Sequence, residues 1–388
     1  MREDFLADQI RARSDVPIFL QEPIEVSALP TPALILEYSA FEANLARMAA
    51  HVEHNGKGFR PHAKTHKCPE ISRRQLHAGA VGICVAKVSE ALAQVSAGIE
   101  DVLVTSPITS HGKAGLLAEL CTLTDGIKIV VDSRQGVDVL KAQLSPEAKL
   151  GILVDLDVNM GRTGSREDSE VLSLIESVQA DPRFTFRGFQ FYAGHVMHIN
   201  GHTDRAKASL KLWETIVERI EGYAATGIDF DIVTGCGTGT YDIDTEVDAI
   251  TDLQVGSFIF MDEEYRQIGG VSSERFEDFQ VSLSLATTTI SRPMEGAITV
   301  DAGYKAMASD TVPAAVDELA NTKFRFAGDE HGVLLSRESM QSVALGDVVR
   351  LVTPHCDPTV NLHDYYWVLE EDGLIHSLWP ITGRGCSW

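Results

Sequence analysis

The sequence predicts an α/β protein: a (β/α)8 TIM-type barrel followed by a C-terminal all-β domain. Eight short β-branched runs lie between about residues 56 and 260, each followed by a helix or a helix-sized connection. After about residue 275 the rhythm changes to strand-like runs with no long helix between them. A length of 388 residues accommodates a barrel with an added domain.

In chain order the barrel strands are expected at 58–66, 82–86, 101–106 and 127–131, then at 151–158, 186–195, 231–235 and 253–258. Amphipathic helix candidates fill the intervals, among them "KVSEALAQVSAG", "GKAGLLAELCTL" and "HTDRAKASLKLWETIVERI". Strand counting alone leaves a doubly wound open sheet as the alternative. The barrel is expected over residues 40–270. The β domain is expected over 1–39 and 271–388, because "TPALILEYS" (31–39) is strand-like yet precedes the first barrel helix.

Composition excludes several partners. A net charge of −23, from 33 Lys+Arg against 56 Asp+Glu, repels phosphate backbones, so nucleic acid and anionic membranes are set aside. No apolar stretch approaches the roughly 20 residues of a membrane helix. "MREDFLADQIRARSD" lacks the apolar run of a signal peptide. The six cysteines are scattered without a C-x-x-C pair and read as reduced thiols, so a cytoplasmic protein is expected.

The run "RPHAKTHK" (60–67) is unusual in so acidic a chain. Pro61 and Pro69 bracket it and argue against helix. Read as a strand, it points Arg60, His62, Lys64 and His66 to one face. His62 and His66 would then stand about 13 Å apart at ~3.3 Å per residue, too far to share a metal. A basic surface patch is the common reading of such a cluster. At the end of a first barrel strand, however, an inward lysine is readily desolvated, its pKa falls, and its amine becomes a nucleophile toward a carbonyl. Lys64 is the candidate.

Other strand ends supply matching parts. "TGCGTGTY" (234–241) and "QVGSFIFMD" (254–262) follow the seventh and eighth strands, where barrels often bind phosphate. Gly237, Thr238, Gly239, Gly256 and Ser257 suit an anion, through close backbone approach and N–H or hydroxyl donors. A plain tight turn is the alternative for each loop. Arg162 in "GRTG" stands at the rim, either as a surface ion-pair partner or beside a cofactor ring. Gln190 and Tyr192 share a strand face, with His195 and His198 in the following loop. His355 and Asp357 in "VTPHCDPTVNLHD" share a face if the segment is extended. They suit Mn2+, Mg2+ or Co2+ with open water positions, or else form a hydrogen bond in a turn. Asp329 and His331 form another acid–His cluster and are the candidates to support such a metal from behind its ligands.

Together, "RPHAKTHK", "KVSEA", "GRTG", "GTGTY", "GSFIFMD", "DAGYKAM", "DEHG" and "HCDPTVNLHD" occur in an order that resembles the D-threonine aldolase and D-serine dehydratase-like group. These are pyridoxal phosphate enzymes of the alanine-racemase fold, usually homodimeric. The resemblance runs from about residue 30 to the C-terminal "WPITGRG". It implies Lys64 as the lysine that holds pyridoxal phosphate as a Schiff base, and Arg162 and Tyr192 as contacts of cofactor and substrate. It further implies His198 near the substrate hydroxyl, and His355 and Asp357 as ligands of a divalent metal. The family's dehydratases have His-x-Cys at the metal position and its aldolases His-x-Asp, so Asp357 points to an aldolase. The implied activity is retro-aldol cleavage of a D-3-hydroxy amino acid, D-threonine in type, to glycine and an aldehyde. The alternatives are a D-3-hydroxyaspartate aldolase, a D-serine or D-3-hydroxyaspartate dehydratase, and more remotely a non-catalytic pyridoxal phosphate-binding protein.

Overall fold

The structure is a computed structural model that describes residues 2–308, 310 and 312–388. Two strands, β1 (Ile18–Glu25) and β2 (Ala33–Glu37), precede the barrel. The barrel strands are β3 (Gly58–Phe59), β4 (Ile83–Val85), β5 (Val102–Val104) and β6 (Ile127–Val131), then β7 (Leu150–Leu156), β8 (Phe184–Phe191), β9 (Ile232–Gly235) and β10 (Asp252–Leu253). All pair in parallel, in the order β3-β10-β9-β8-β7-β6-β5-β4. A parallel bridge between His62 and Cys84 joins the first strand's extension to the second and closes the ring.

Apart from Gly58 and the first half of β8, these strands are buried on both faces, which is why they read as apolar runs without alternation. Every residue of β6 and β7 is buried. Cys84, Leu103, Val130, Leu153 and Ile232 form a separate apolar cluster contributed by five of the strands. Long helices follow the first six barrel strands, from Pro69–His77 to His202–Ala225. Only short turns follow β9 and β10. Helix Tyr38–His54 covers that gap: Asn44 Nδ2 donates to Ile259 O (3.3 Å) and Gln280 O (2.7 Å).

The second sheet adds β11 (Leu283–Met294), β12 (Ala297–Val300), β13 (Lys323–Phe326), β14 (Gly332–Leu335), β15 (Val348–Val352), β16 (Tyr365–Leu369) and β17 (Leu374–Pro380). Its order is β1-β17-β16-β2-β11-β12-β14-β13, with β15 also on β11. The expected barrel and β-rich second unit are thus both present. β2 lies between β16 and β11, so the run at 31–39 belongs to the second sheet.

Most barrel strands are shorter than the apolar runs that announce them. The first is the clearest correction: the ladder stops at Phe59, where 58–66 was expected. Pro61 has no N–H to offer toward β4, although Arg60 N and His62 N still donate to Leu253 O (2.8 Å) and Val255 O (2.9 Å) on the β10 side. The chain makes one bridge at His62 and then turns, with Lys67 N donating to Ala63 O (2.7 Å) and Lys67 at φ +52°. No helix of the described residues is long and apolar enough to cross a membrane.

Candidate active site

Because 63–66 is a turn, the expected common face of Arg60, His62, Lys64 and His66 does not exist. Arg60 pairs with Asp101 and approaches Asp252 (3.6 Å). His62 Nε2 lies 3.1 Å from Thr105 Oγ1. His66 is buried, and its Nδ1 accepts from Cys68 N at 3.1 Å. Lys64 alone turns toward the second sheet's side, where its Nζ meets Asp357 Oδ2 at 3.0 Å.

That contact overturns the expected depression of the Lys64 pKa. The Asp357 carboxylate raises the amine above its ordinary value and outweighs the opposing effect of burial. Burial pushes Asp357 up, yet the Lys64 ammonium and then His355 hold its carboxyl well below the usual range. Both partners are therefore charged at neutral pH.

His355 and Asp357 are not on one face of an extended segment. His355 is the extended residue at the start of helix Cys356–Val360, and Asp357 lies in that helix's first turn. His355 Nδ1 stands 3.1 Å from Asp310 Oδ2 and 3.8 Å from Glu264 Oε2. Burial alone would lower its pKa, but Asp357, Asp262, Asp310 and Glu264 together raise it. Cys356, between the two candidates, is fully buried, with Sγ 3.5 Å from Asp357 Oδ1.

His198 joins the same cluster. Its Nδ1 is buried without a hydrogen-bond partner and lies 3.7 Å from Glu264 Oε1; its ring is tilted against Tyr265 at 4.9 Å. Burial, and then the positive charge of His355 and Lys64, hold its pKa down to about 4. The imidazole is neutral at pH 7. Arg162 is exposed, with its guanidinium 4.8 Å from the centre of the Tyr192 ring. Asp329 and His331 are exposed at the β13–β14 turn.

Glu264 and Asp262 also belong to this cluster and carry little local signal. That signal is the acidic run "MDEEYR" directly after the eighth strand's glycine loop.

The two glycine loops abut. Phe258 N donates to Thr238 Oγ1 (3.0 Å), tying the loop after β9 to the loop after β10. A Cβ at Gly239 would stand 2.2 Å from Met197 O, and one at Gly256 2.5 Å from Thr65 Oγ1. Among the described residues, the backbone N–H groups of Gly237, Thr238, Gly239, Gly256 and Ser257 donate to no protein acceptor. Gly237–Gly239 are buried nonetheless. Unpaired buried donors on adjoining loops suit a phosphate.

The alanine racemase N-terminal domain profile matches residues 36–264, and a serine dehydratase domain profile matches residues 282–369. The D-threonine aldolase of Arthrobacter sp. is 36% identical over 363 residues, covering 93% of this chain and 94% of that protein. The chain belongs to the D-threonine aldolase and D-serine dehydratase-like family of the alanine-racemase fold. The 3-hydroxy-D-aspartate aldolase of Paracoccus denitrificans (strain Pd 1222) is 32% identical, covering 93% and 94%. The crystal structure of D-threonine aldolase from Filomicrobium marinum matches with a TM-score of 0.89 at 29% identity, over 97% of this chain and 100% of that one. This family member is an enzyme of the lyase class.

The family implies pyridoxal phosphate, and the residues fit it. Lys64 offers an amine held by Asp357 on a side chain that is partly exposed, and the adjoining loops offer unpaired buried donors for a phosphate. For a divalent metal the fit is thinner. Among the described residues, no three His, Cys, Asp or Glu side chains are gathered at metal-binding distance. An imidazole and a carboxylate with remaining positions left to water is the donor set of a hard, exchangeable divalent ion.

Proposed function

We propose that this family member cleaves the Cα–Cβ bond of a D-3-hydroxy amino acid of the D-threonine type, releasing glycine and an aldehyde. Lys64 holds pyridoxal phosphate, with Gly237, Thr238, Gly239, Gly256 and Ser257 around its phosphate and Arg162 and Tyr192 beside its ring. His355 and Asp357 hold a divalent ion, Mn2+, Mg2+ or Co2+. The cofactor supplies the electron sink for the broken bond, and the metal supplies Lewis acidity toward the substrate hydroxyl. His198, neutral at pH 7, accepts the proton of that hydroxyl. Asp357 keeps its charge through the working pH range, because Lys64 and His355 favour its ionised form against burial. The reading includes a cytoplasmic homodimer, which light scattering would test.

The observation that carries the proposal is a carboxylate, not a thiol, beside Lys64 at the His-x-Asp position. Product analysis with D-threonine and Mn2+, then with chelator, tests it. Glycine and acetaldehyde, lost on chelation, are expected. Ammonia and 2-oxobutanoate would make the protein a dehydratase and sink the distinction between Asp and Cys. A second reading, a D-3-hydroxyaspartate aldolase, is favoured by the relative of that name at 32% identity. Under it, D-3-hydroxyaspartate yields glycine and glyoxylate faster than D-threonine yields acetaldehyde.

A further inference from the structure

We propose that Glu264 is the positioning residue of this site. Its Oε1 accepts the Nδ1 proton of His198, so that His198 Nε2 is left unprotonated for the substrate hydroxyl, while Oε2 faces His355. The inference deepens the aldolase reading and rests on it.

The placement of Glu264 is built, not incidental. Asp262 is fully buried; its Oδ1 accepts from Tyr265 N (3.0 Å) and its Oδ2 from Cys356 N (2.9 Å). One carboxylate thus ties the start of helix Glu263–Arg266 to the start of helix Cys356–Val360. Glu263 N donates to Thr353 O (3.0 Å) and Glu264 N to Pro354 O (3.1 Å), which fixes the Glu264 backbone against the segment carrying His355. From that anchor its two oxygens diverge, 3.7 Å to His198 Nδ1 and 3.8 Å to His355 Nδ1. Asp310 Oδ2 already takes the His355 nitrogen at 3.1 Å, which leaves His198 as the ring still lacking a partner.

The chemistry of imidazole does the rest. A neutral ring carries one N–H and one bare nitrogen, and the hydrogen bond at one nitrogen decides the state of the other. A general base at Nε2 requires the proton on Nδ1. That nitrogen is buried, so it needs an acceptor, and the Glu264 carboxylate needs only a side-chain adjustment to close from 3.7 Å to hydrogen-bond length. Tyr265 against the ring holds the imidazole plane while this happens.

The test uses the full-length, cofactor-loaded protein with 15N-labelled histidine rings, with the His198 signals assigned by His198→Asn. Wild type should show the Nδ1–H tautomer at His198. Glu264→Gln should retain it, since the amide oxygen still accepts, and Glu264→Leu should move it toward Nε2–H. In Glu264→Leu kcat should fall about 10- to 100-fold, the usual effect of losing a carboxylate behind a functional histidine, with KM changed less than about threefold. Unaltered near-ultraviolet circular dichroism and cofactor absorbance verify the fold. If Glu264→Leu does not fold, Glu264→Asp, one methylene short of the ring, gives the same reading. Persistence of the Nδ1–H tautomer without the carboxylate, or a loss confined to KM, overturns the proposal. The tautomer is read without substrate, so its failure is separable from a failure of D-threonine cleavage.

Discussion

Lys64 Nζ and Asp357 Oδ2 lie 3.0 Å apart, joining the turn after the first barrel strand to the helix between β15 and β16. The pair ties the proposed cofactor lysine to a proposed metal ligand. Each group holds the other in its charged form. A lysine so protonated is a poor nucleophile, because only the free amine attacks a carbonyl.

Asp357→Asn should therefore lower the Lys64 pKa and speed capture of pyridoxal phosphate at a given pH. The change is read as the rate at which yellow colour develops when cofactor is added to apoprotein between pH 7 and 9. The same variant should keep its colour while cleavage falls on the order of 100-fold or more, the scale set by removing a group that stabilises developing charge. An unchanged pH profile of colour formation would show that Asp357 does not govern the amine.

The glycine loops make a second test. Gly239 lies in the buried turn after β9, where a Cβ would meet Met197 O at 2.2 Å. A backbone oxygen cannot step aside as a flexible side chain can. Gly239→Ala should cost about 1–3 kcal/mol of stability, the usual toll of overpacking. It should also weaken cofactor affinity, because the loop carries unpaired N–H groups. Thermal melts with and without cofactor separate the two effects; equal melting shifts in both forms would argue against a phosphate role.

How much of this was legible in the sequence varies with the kind of signal. The barrel strands announce themselves as apolar runs because burial on both faces leaves no alternation to misread. Their ends do not: the runs at 58–66 and 253–258 continue past the strands Gly58–Phe59 and Asp252–Leu253 into turns that stay mostly buried, so burial alone does not mark where the strand stops. Lys64 lies in the turn beyond the first strand, not on a face shared with Arg60, His62 and His66. Its counterion comes from residue 357, nearly three hundred positions away, and no local pattern reports such a partner. Glu264 was missed for the same reason: in sequence it is one acid among four in "MDEEYRQIGGVSSE", and only the fold sets it between two histidines.

Arg162 stacks on Tyr192 at 4.8 Å from the ring centre, at an exposed position. Such a pair contributes about 0.5–1 kcal/mol when exposed, which translates into a two- to fivefold change in an equilibrium it supports. Tyr192→Leu should weaken cofactor affinity by about that factor, and Tyr192→Phe, which keeps the ring, should not. Fluorescence titration of apoprotein with pyridoxal phosphate measures both. If Phe weakens binding as much as Leu does, the hydroxyl matters and the stacking does not.

Three buried histidines should each weaken the fold in acid, against the opposite contribution of Asp155, whose carboxyl burial raises to about 6. Burial holds His66 at about 3 and His198 at about 4, against an ordinary value of 6.5, and pushes His62 well down as well. Each binds its proton more readily in the unfolded chain than in the folded one. Between pH 6.5 and about 4 these three rings therefore take up more protons in the unfolded state, and their contribution to stability falls as pH falls through that window. Above pH 6.5 all three are neutral in both states and the effect vanishes. His66→Asn keeps an acceptor near the place of Nδ1 for Cys68 N and removes the titrating ring. The variant should lose some stability at neutral pH and yet show a shallower decline toward pH 4. Melting temperatures measured every half unit from pH 4 to pH 8 compare the slopes; an acid limb as steep as wild type would assign the loss to other groups.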